Sequence, residues 1–161
     1  MNIRLLLTAA LIAAGLHAGD AATAFERMKS LAGEWEGNTK TGKAHLTWEV
    51  VSGGNAVLER ESADGMPTMI TVYYVDGDRL LLTHYCMAGN EPRIQARHFD
   101  PATGELKFEF LDAANLASPR DGHMHDATLR LIDHDHVASA WEFYQDGKPK
   151  FSESFEYTRI H

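Results

Sequence analysis

Cysteine and positive charge are scarce in this sequence of 161 residues. Its single cysteine, Cys86, cannot form an intramolecular disulfide, so packing alone must hold the fold. The 15 Lys and Arg residues are outnumbered by 23 Asp and Glu and form no basic block, which argues against nucleic acid or an anionic membrane as the main partner. With 5 prolines, 13 glycines and 44% hydrophobic residues, the composition is that of an ordinary globular protein.

The motifs of the best-known reactions are also missing. The sequence has no G-x-S-x-G, no P-loop, no G-x-G-x-x-G, no H-E-x-x-H and no C-x-x-C. Their absence excludes the activities that are most readily recognised from sequence. A function has to be argued from the fold and from the side chains that meet in it.

The N-terminal segment has the composition of a secretory signal peptide. Arg4 precedes a stretch, 5–16, that is rich in Leu and Ala and is too short for a transmembrane helix of ~20 residues. Small residues follow, so we predict a signal peptide over 1–22 with cleavage somewhere in 18–24. The mature protein, 23–161, is then expected in the periplasm or outside the cell, without a stable membrane anchor.

The rest of the chain has the pattern of an all-β protein. The stretch 21–31 predicts one short helix, and short alternating runs separated by Gly, Asp and Pro predict hairpin-linked strands. We predict an antiparallel up-and-down barrel, because closing the sheet removes exposed edges. The ten predicted strands span 33–40, 43–52, 55–63, 67–75, 79–86, 93–99, 105–113, 123–132, 136–145 and 150–160. They form a single domain whose oligomeric state stays open.

Three short segments resemble those of known proteins. The segment 31–37 (LAGEWEG), which follows a short helix and opens the first strand, resembles the start of calycin-type barrels such as lipocalins, fatty-acid-binding proteins and nitrobindin-like proteins. The strings 82–90 and 122–125 resemble those of uncharacterised secreted bacterial proteins. The resemblance implies a barrel with Trp35 across its closed end. Nitrobindin-like proteins bind haem through a His near the C-terminal end, and because 150–160 contains no His, we do not carry haem over.

Strand parity predicts a polar cluster at one end of the barrel. Alternate residues point to opposite faces of a strand, and several apolar inward stripes turn polar near their ends. In an up-and-down barrel these ends lie at the same mouth. The groups expected there are His84, Cys86, Asp112, His123 and His125.

Three interpretations of this cluster stay open. His84, Cys86, His123 and His125 offer imidazole and thiolate ligands suited to zinc or copper. Without a metal, the cluster would bind a polar ligand or act in catalysis. It would otherwise be a structural hydrogen-bond network. Arg93, which follows Gly89, is either a clamp for a ligand carboxylate or an exposed side chain of an ordinary turn.

The sequence therefore supports several functions. The first is an exported barrel that binds a small, partly apolar ligand, with aromatic side chains along its body and the polar cluster at its head. The aromatic side chains expected there are Phe108, Phe110, Trp141, Phe143 and Phe155. The second is an enzyme in which His123 or His125 acts as a general base oriented by Asp112, with Cys86 as nucleophile or metal ligand. The third is a ligand-free structural protein of the cell envelope.

Overall fold

The computed structural model describes residues 18–39 and 42–161. Most of the predicted signal peptide, 1–17, lies outside the described residues, so that prediction stays as it was. One helix, α1 (Ala18–Lys29), precedes ten strands. The strands are β1 (Gly33–Asn38), β2 (Lys43–Val51), β3 (Ala56–Ala63), β4 (Met69–Asp76), β5 (Arg79–Tyr85), β6 (Glu91–Asp100), β7 (Glu105–Ala114), β8 (His123–Leu131), β9 (His136–Gln145) and β10 (Lys148–Arg159).

The strands form one closed antiparallel barrel. Each strand pairs with its neighbour in sequence, and β1 pairs with β10 to close the sheet. The predicted fold is therefore confirmed, with a helix that begins at Ala18 and ends at Lys29 instead of spanning 21–31. The strand bounds differ from the predicted ones by at most two residues at every end, because Gly and Asp turns mark the hairpins clearly.

The helix α1 covers one end of the barrel. Arg27 donates hydrogen bonds to the carbonyl oxygens of Pro101 and Leu131, which lie at that end. Trp35 is fully buried beneath, where its indole nitrogen donates to Leu31 O at 2.9 Å and the Arg159 guanidinium stacks over its ring at 4.1 Å. In the part of the chain that the structure describes, no helix is both long and apolar enough to span a membrane.

One rung of inward side chains crosses four neighbouring strands. Trp48 of β2 lies opposite Glu59 of β3, Glu59 lies opposite Thr71 of β4, and Thr71 lies opposite His84 of β5. All four are at most 5% exposed, so the rung belongs to the barrel interior. The interior is thus apolar at the helix-covered end and polar on one wall halfway along.

Two β-bulges change the direction of side chains near the opposite end, which we call the open end. Between β6 and β7 the register shifts, because Arg93 lies opposite Asp112 and Ile94 opposite Phe110. The extra residue reverses the alternation, as bulges do. Asp112 consequently faces the outer surface with Arg93, and its predicted inward direction is wrong. A second bulge, between β8 and β9, places Met124 opposite Phe143 and makes His125 the extra residue.

Candidate functional site

A small pocket lies inside the barrel beneath the open end. Its volume is about 20 Å³, room for one group the size of a water molecule. Its walls are mostly apolar, with Met69, Met124, Trp141 and Phe155 among them. We call this space the inner pocket.

A wider cleft joins the inner pocket from outside. Four residues line both spaces: Ala63, Met66, Glu153 and Phe155. The cleft has a volume of about 630 Å³ and runs along the first half of β10. It exists because β10 begins at Lys148 while its pairs with β1 span only Tyr157 to Arg159. We call this space the outer cleft.

His84 is the polar side chain at the base of the inner pocket. It is 3% exposed, and its ring lies 5.0 Å from that of Trp141. Its Nδ1 is 3.0 Å from the Thr71 hydroxyl, whereas its buried Nε2 meets no hydrogen-bond partner among the described residues. Burial lowers the pKa of His84 to about 4, so its imidazole is neutral at pH 7.

Glu59 is a buried carboxyl group on the same rung. Its Oε2 accepts a hydrogen bond from Tyr73 at 2.9 Å, and the Thr71 side chain hydrogen-bonds to the same carboxyl. Burial raises the pKa of Glu59 to about 8, helped by the neighbouring charge of Glu61. The carboxyl is therefore mostly protonated at neutral pH, and Thr71 links it to His84.

Glu61 brings a carboxyl group to the inner pocket itself. Tyr157 donates a hydrogen bond to its Oε1 at 2.6 Å. Burial is the main cause that raises the pKa of Glu61, and the charge of Glu153 adds to it. Glu153 also lines the pocket. No Lys or Arg occurs among the described residues that line it, so the ionisable groups there are two carboxyls and one neutral imidazole.

His123 and His125 lie elsewhere, in a ring cluster with Phe110 and Tyr144. The rings of His125 and Tyr144 stack at 3.9 Å, and Phe110 lies 4.6 Å from His123. The Nδ1 atoms are 2.8 Å from Asp121 O and 3.0 Å from the Asp126 carboxylate respectively. Strand alternation predicted that His123 and His125 point into the barrel. Because His125 is the extra residue of a bulge, Met124 lies on the pocket wall instead.

The residues proposed for catalysis do not form a catalytic group. Arg93 donates two hydrogen bonds to the Asp112 carboxylate on the outer surface, which lowers the pKa of Asp112. Asp112 therefore orients neither His123 nor His125. Arg93 lies within β6 and is occupied by this pair, so it is not a clamp in a loop over the mouth.

Cys86 follows β5 and is half-buried against the core. The Ala88 amide donates to its sulfur at 3.5 Å, and burial raises the pKa of the thiol. A raised pKa disfavours the thiolate that a nucleophile or a metal ligand needs.

The structure gives no support to a metal centre built from the predicted ligands. Within 18–39 and 42–161, no three His, Cys, Asp or Glu side chains lie close enough to hold one ion. The zinc or copper site expected from His84, Cys86, His123 and His125 is not assembled there.

The predicted aromatic lining is distributed over several places. Trp141 lines the inner pocket, as expected. Phe108 is buried in the core against Tyr73, Phe110 belongs to the ring cluster, and Phe143 stacks on Phe151 at 4.8 Å. Of the five predicted aromatic side chains, Trp141 and Phe155 line the pocket that His84 lines.

Glu59 and Glu61 were not among the residues predicted for the site. Carboxylates are rarely buried, so charged residues in an alternating strand are expected to face solvent. A signal was present: Trp48 belongs to the inward phase of β2, and a hairpin through Gly53 and Gly54 sets Glu59 opposite it.

Comparison with known proteins supports the fold alone. No family model and no curated protein matches the chain. The crystal structure of Rv2717c from M. tuberculosis is similar, with a TM-score of 0.58 and 15% identity over 86% of this chain and 98% of that one. A protein of unknown function from the DUF3598 family of Nostoc punctiforme has a TM-score of 0.52 and 14% identity over 83% of this chain. The matched region spans about half of that longer protein, 49% of its length.

Proposed function

We propose that this protein is an exported, calycin-like barrel that binds a small, partly apolar molecule. The polar head of the ligand enters the inner pocket against His84, and its body lies in the outer cleft. The observation that carries this proposal concerns His84, which lines the inner pocket and whose buried Nε2 has no hydrogen-bond partner among the described residues.

Physical chemistry supports a ligand at this place. A buried polar atom without a hydrogen bond destabilises a fold by about 1–3 kcal/mol. An imidazole nitrogen that lacks a hydrogen-bond partner beside a pocket is therefore retained more readily where a ligand satisfies it. Small-molecule sites are typically apolar spaces with a few convergent polar groups. Met69, Trp141 and Phe155 supply the apolar walls, and His84 and Glu61 supply the polar groups.

The test compares bound small molecules in two variants. The wild-type protein, His84→Phe and His98→Phe are purified alike, and the extracted small molecules are identified by mass spectrometry. His98 is exposed on β6 and serves as the matched control. We expect a species that wild type and His98→Phe share and that His84→Phe loses while its circular dichroism is unchanged. If no species depends on His84, the proposed function is wrong.

A further inference from the structure

The inner pocket presents carboxyl oxygens, which accept hydrogen bonds, to whatever enters it. Glu61 and Glu153 are its carboxyl groups, and the ring of Trp141 forms part of its wall. Tyr157 donates to Oε1 of Glu61, which leaves Oε2 for a ligand. A cation with hydrogen-bond donors complements this set better than an anion or a neutral acceptor, and aromatic walls favour cations further.

The size of the pocket limits the entering group. A volume of about 20 Å³ accommodates one water-sized group, which an ammonium head matches. Met66 and Phe155 line both the inner pocket and the outer cleft, so an alkyl chain attached to the head would pass between them. The fit is therefore to a primary amine with a partly apolar body.

The hydrogen-bond chain from Glu59 through Thr71 to His84 determines whether Nε2 of His84 donates or accepts a hydrogen bond. If the Glu59 carboxyl is protonated, it can donate to Thr71, which then donates to Nδ1 of His84 and leaves the imidazole proton on Nε2. If the carboxyl is ionised, Thr71 donates to it and accepts from Nδ1–H, which leaves a lone pair on Nε2. The 3.0 Å contact between Thr71 and Nδ1 permits both arrangements.

We infer that the ligand is a primary amine whose ammonium group donates to His84 Nε2, and that Glu59 loses its proton as the amine binds. This inference rests on the proposed function and specifies its ligand class. Before binding, the rung holds three protons on Glu59, Thr71 and His84. Afterwards it holds two, on Thr71 and on Nδ1, and the third is released to solvent. One cation enters as one proton leaves, so the net charge of the interior is unchanged.

Glu59 and Glu61 are the two carboxyl groups in these surroundings whose pKa values burial raises. Tyr73 and Tyr157 are phenols whose pKa values burial raises, so both stay neutral. Glu61 is the neighbouring carboxyl on β3, and Trp48 of β2 is not titratable. A second small cavity adjoins Glu59, and the strands β8 and β9 line it with Leu129, Val137 and Ser139.

The pH dependence follows from the proton that leaves. Glu59 has a pKa of about 8, and alkylammonium groups stay charged well above that value. Below pH 8 the affinity should rise with pH by about tenfold per unit, and above pH 8 it should level off.

The experiment uses probes that share one chain and differ in the head group. n-Butylamine, n-butanol, butyrate and butyltrimethylammonium are titrated into unbuffered protein in a pH-stat at pH 7. We expect butylamine alone to bind, with release of about one proton. Butyltrimethylammonium carries the charge but has no donor and too large a head, so it should fail.

Three variants locate the binding and the proton. His84→Phe should weaken butylamine binding by about tenfold or more, because it removes a charge-assisted acceptor. Glu59→Gln should bind butylamine with nearly no proton release, whereas the control Glu49→Gln, exposed on β2, should behave as wild type.

The outcomes separate this inference from the proposed function. Absence of His84-dependent butylamine binding overturns the inference, as does proton release that survives Glu59→Gln. If butanol or butyrate binds instead and His84→Phe abolishes it, the binding function stands and the amine assignment is wrong. Whether the binding function itself fails is decided separately by the small molecules extracted from His84→Phe.

Discussion

Tyr157 and Glu61 connect two strands that are not neighbours in the sheet. The phenol of Tyr157, on β10, donates to Glu61 Oε1, on β3, at 2.6 Å, and β1 and β2 lie between these strands. The hydrogen bond runs through the barrel interior beside the inner pocket. It therefore holds the Glu61 carboxyl of that pocket in place as well as stabilising the barrel.

Removing this hydroxyl should destabilise the protein measurably. Tyr157→Phe keeps the ring but leaves a buried carboxyl oxygen without its donor, so we expect a loss of about 1–3 kcal/mol in the free energy of unfolding. Tyr85→Phe, at a side chain that is 51% exposed, is the control and should change little. Denaturant titrations of both variants at one pH provide the measurement. Equal stabilities would show that the contact contributes nothing.

Glu59 should make the stability of the protein depend on pH. Its pKa is raised from 4.5 to about 8 in the folded state, so the folded state binds its proton more tightly than the unfolded chain does. The stabilisation is complete below pH 4.5 and is lost as pH rises through about 8. Each pKa unit corresponds to about 1.4 kcal/mol, so the loss from this group amounts to several kcal/mol.

Glu59→Gln should flatten that part of the pH profile. The amide keeps the hydrogen-bonding shape without the charge, so we expect Glu59→Gln to be more stable than wild type at pH 9 and closer to it at pH 5. Unfolding free energies across this range, with Glu49→Gln as the exposed control, give the comparison. A profile identical to that of wild type would mean that Glu59 is not buried as described.

The pair of Arg93 and Asp112 should contribute little to stability and nothing to ligand binding. Both side chains are about half exposed, at 45% and 50%, and exposed ion pairs contribute about 0.2–1 kcal/mol. A double-mutant cycle with Arg93→Gln and Asp112→Asn should give a coupling energy in that range, reduced by salt. A coupling several times larger, or a loss of the bound species, would place Asp112 at the site after all.

The sequence predicts most of this fold because hairpin turns and alternation agree along the chain. The inward direction of His84 follows from Leu80 and Leu82 on the same strand, and the structure confirms it. Alternation fails at the bulges, where one extra residue reverses Asp112 and shifts His125. A bulge leaves little trace in a single sequence, so these directions could not be predicted.

The burial of Glu59 and Glu61 could not be predicted, for a different reason. Charged residues in an alternating strand are normally the solvent-facing ones, and Glu59 and Glu61 match the spacing of an exposed stripe. Their burial can be explained only when their hydrogen-bond donors are known. Tyr73 of β4 donates to Glu59, and Tyr157 of β10 donates to Glu61. Tyr73 lies on the neighbouring strand β4, whereas Tyr157 reaches Glu61 across the barrel interior, a contact that local pattern does not encode.

Cys86 should react slowly with thiol reagents. Burial raises its pKa, which keeps the thiolate fraction low at neutral pH. We expect labelling of the native protein at pH 7 to be much slower than labelling of the unfolded chain, and to accelerate with pH to above 9. Stopped-time labelling followed by mass spectrometry measures both rates. A native rate at or above the unfolded rate would restore Cys86 as a candidate nucleophile.

The most direct test of the account is the protonation of the two ring nitrogens of His84, observed by nitrogen-15 NMR at pH 7 with and without n-butylamine. We expect the proton on Nε2 in the free protein and on Nδ1 in the amine complex, while the signals of His98 do not change. If the His84 signals are the same in both samples, the imidazole does not meet the amine and the assignment of a primary amine to this site is wrong.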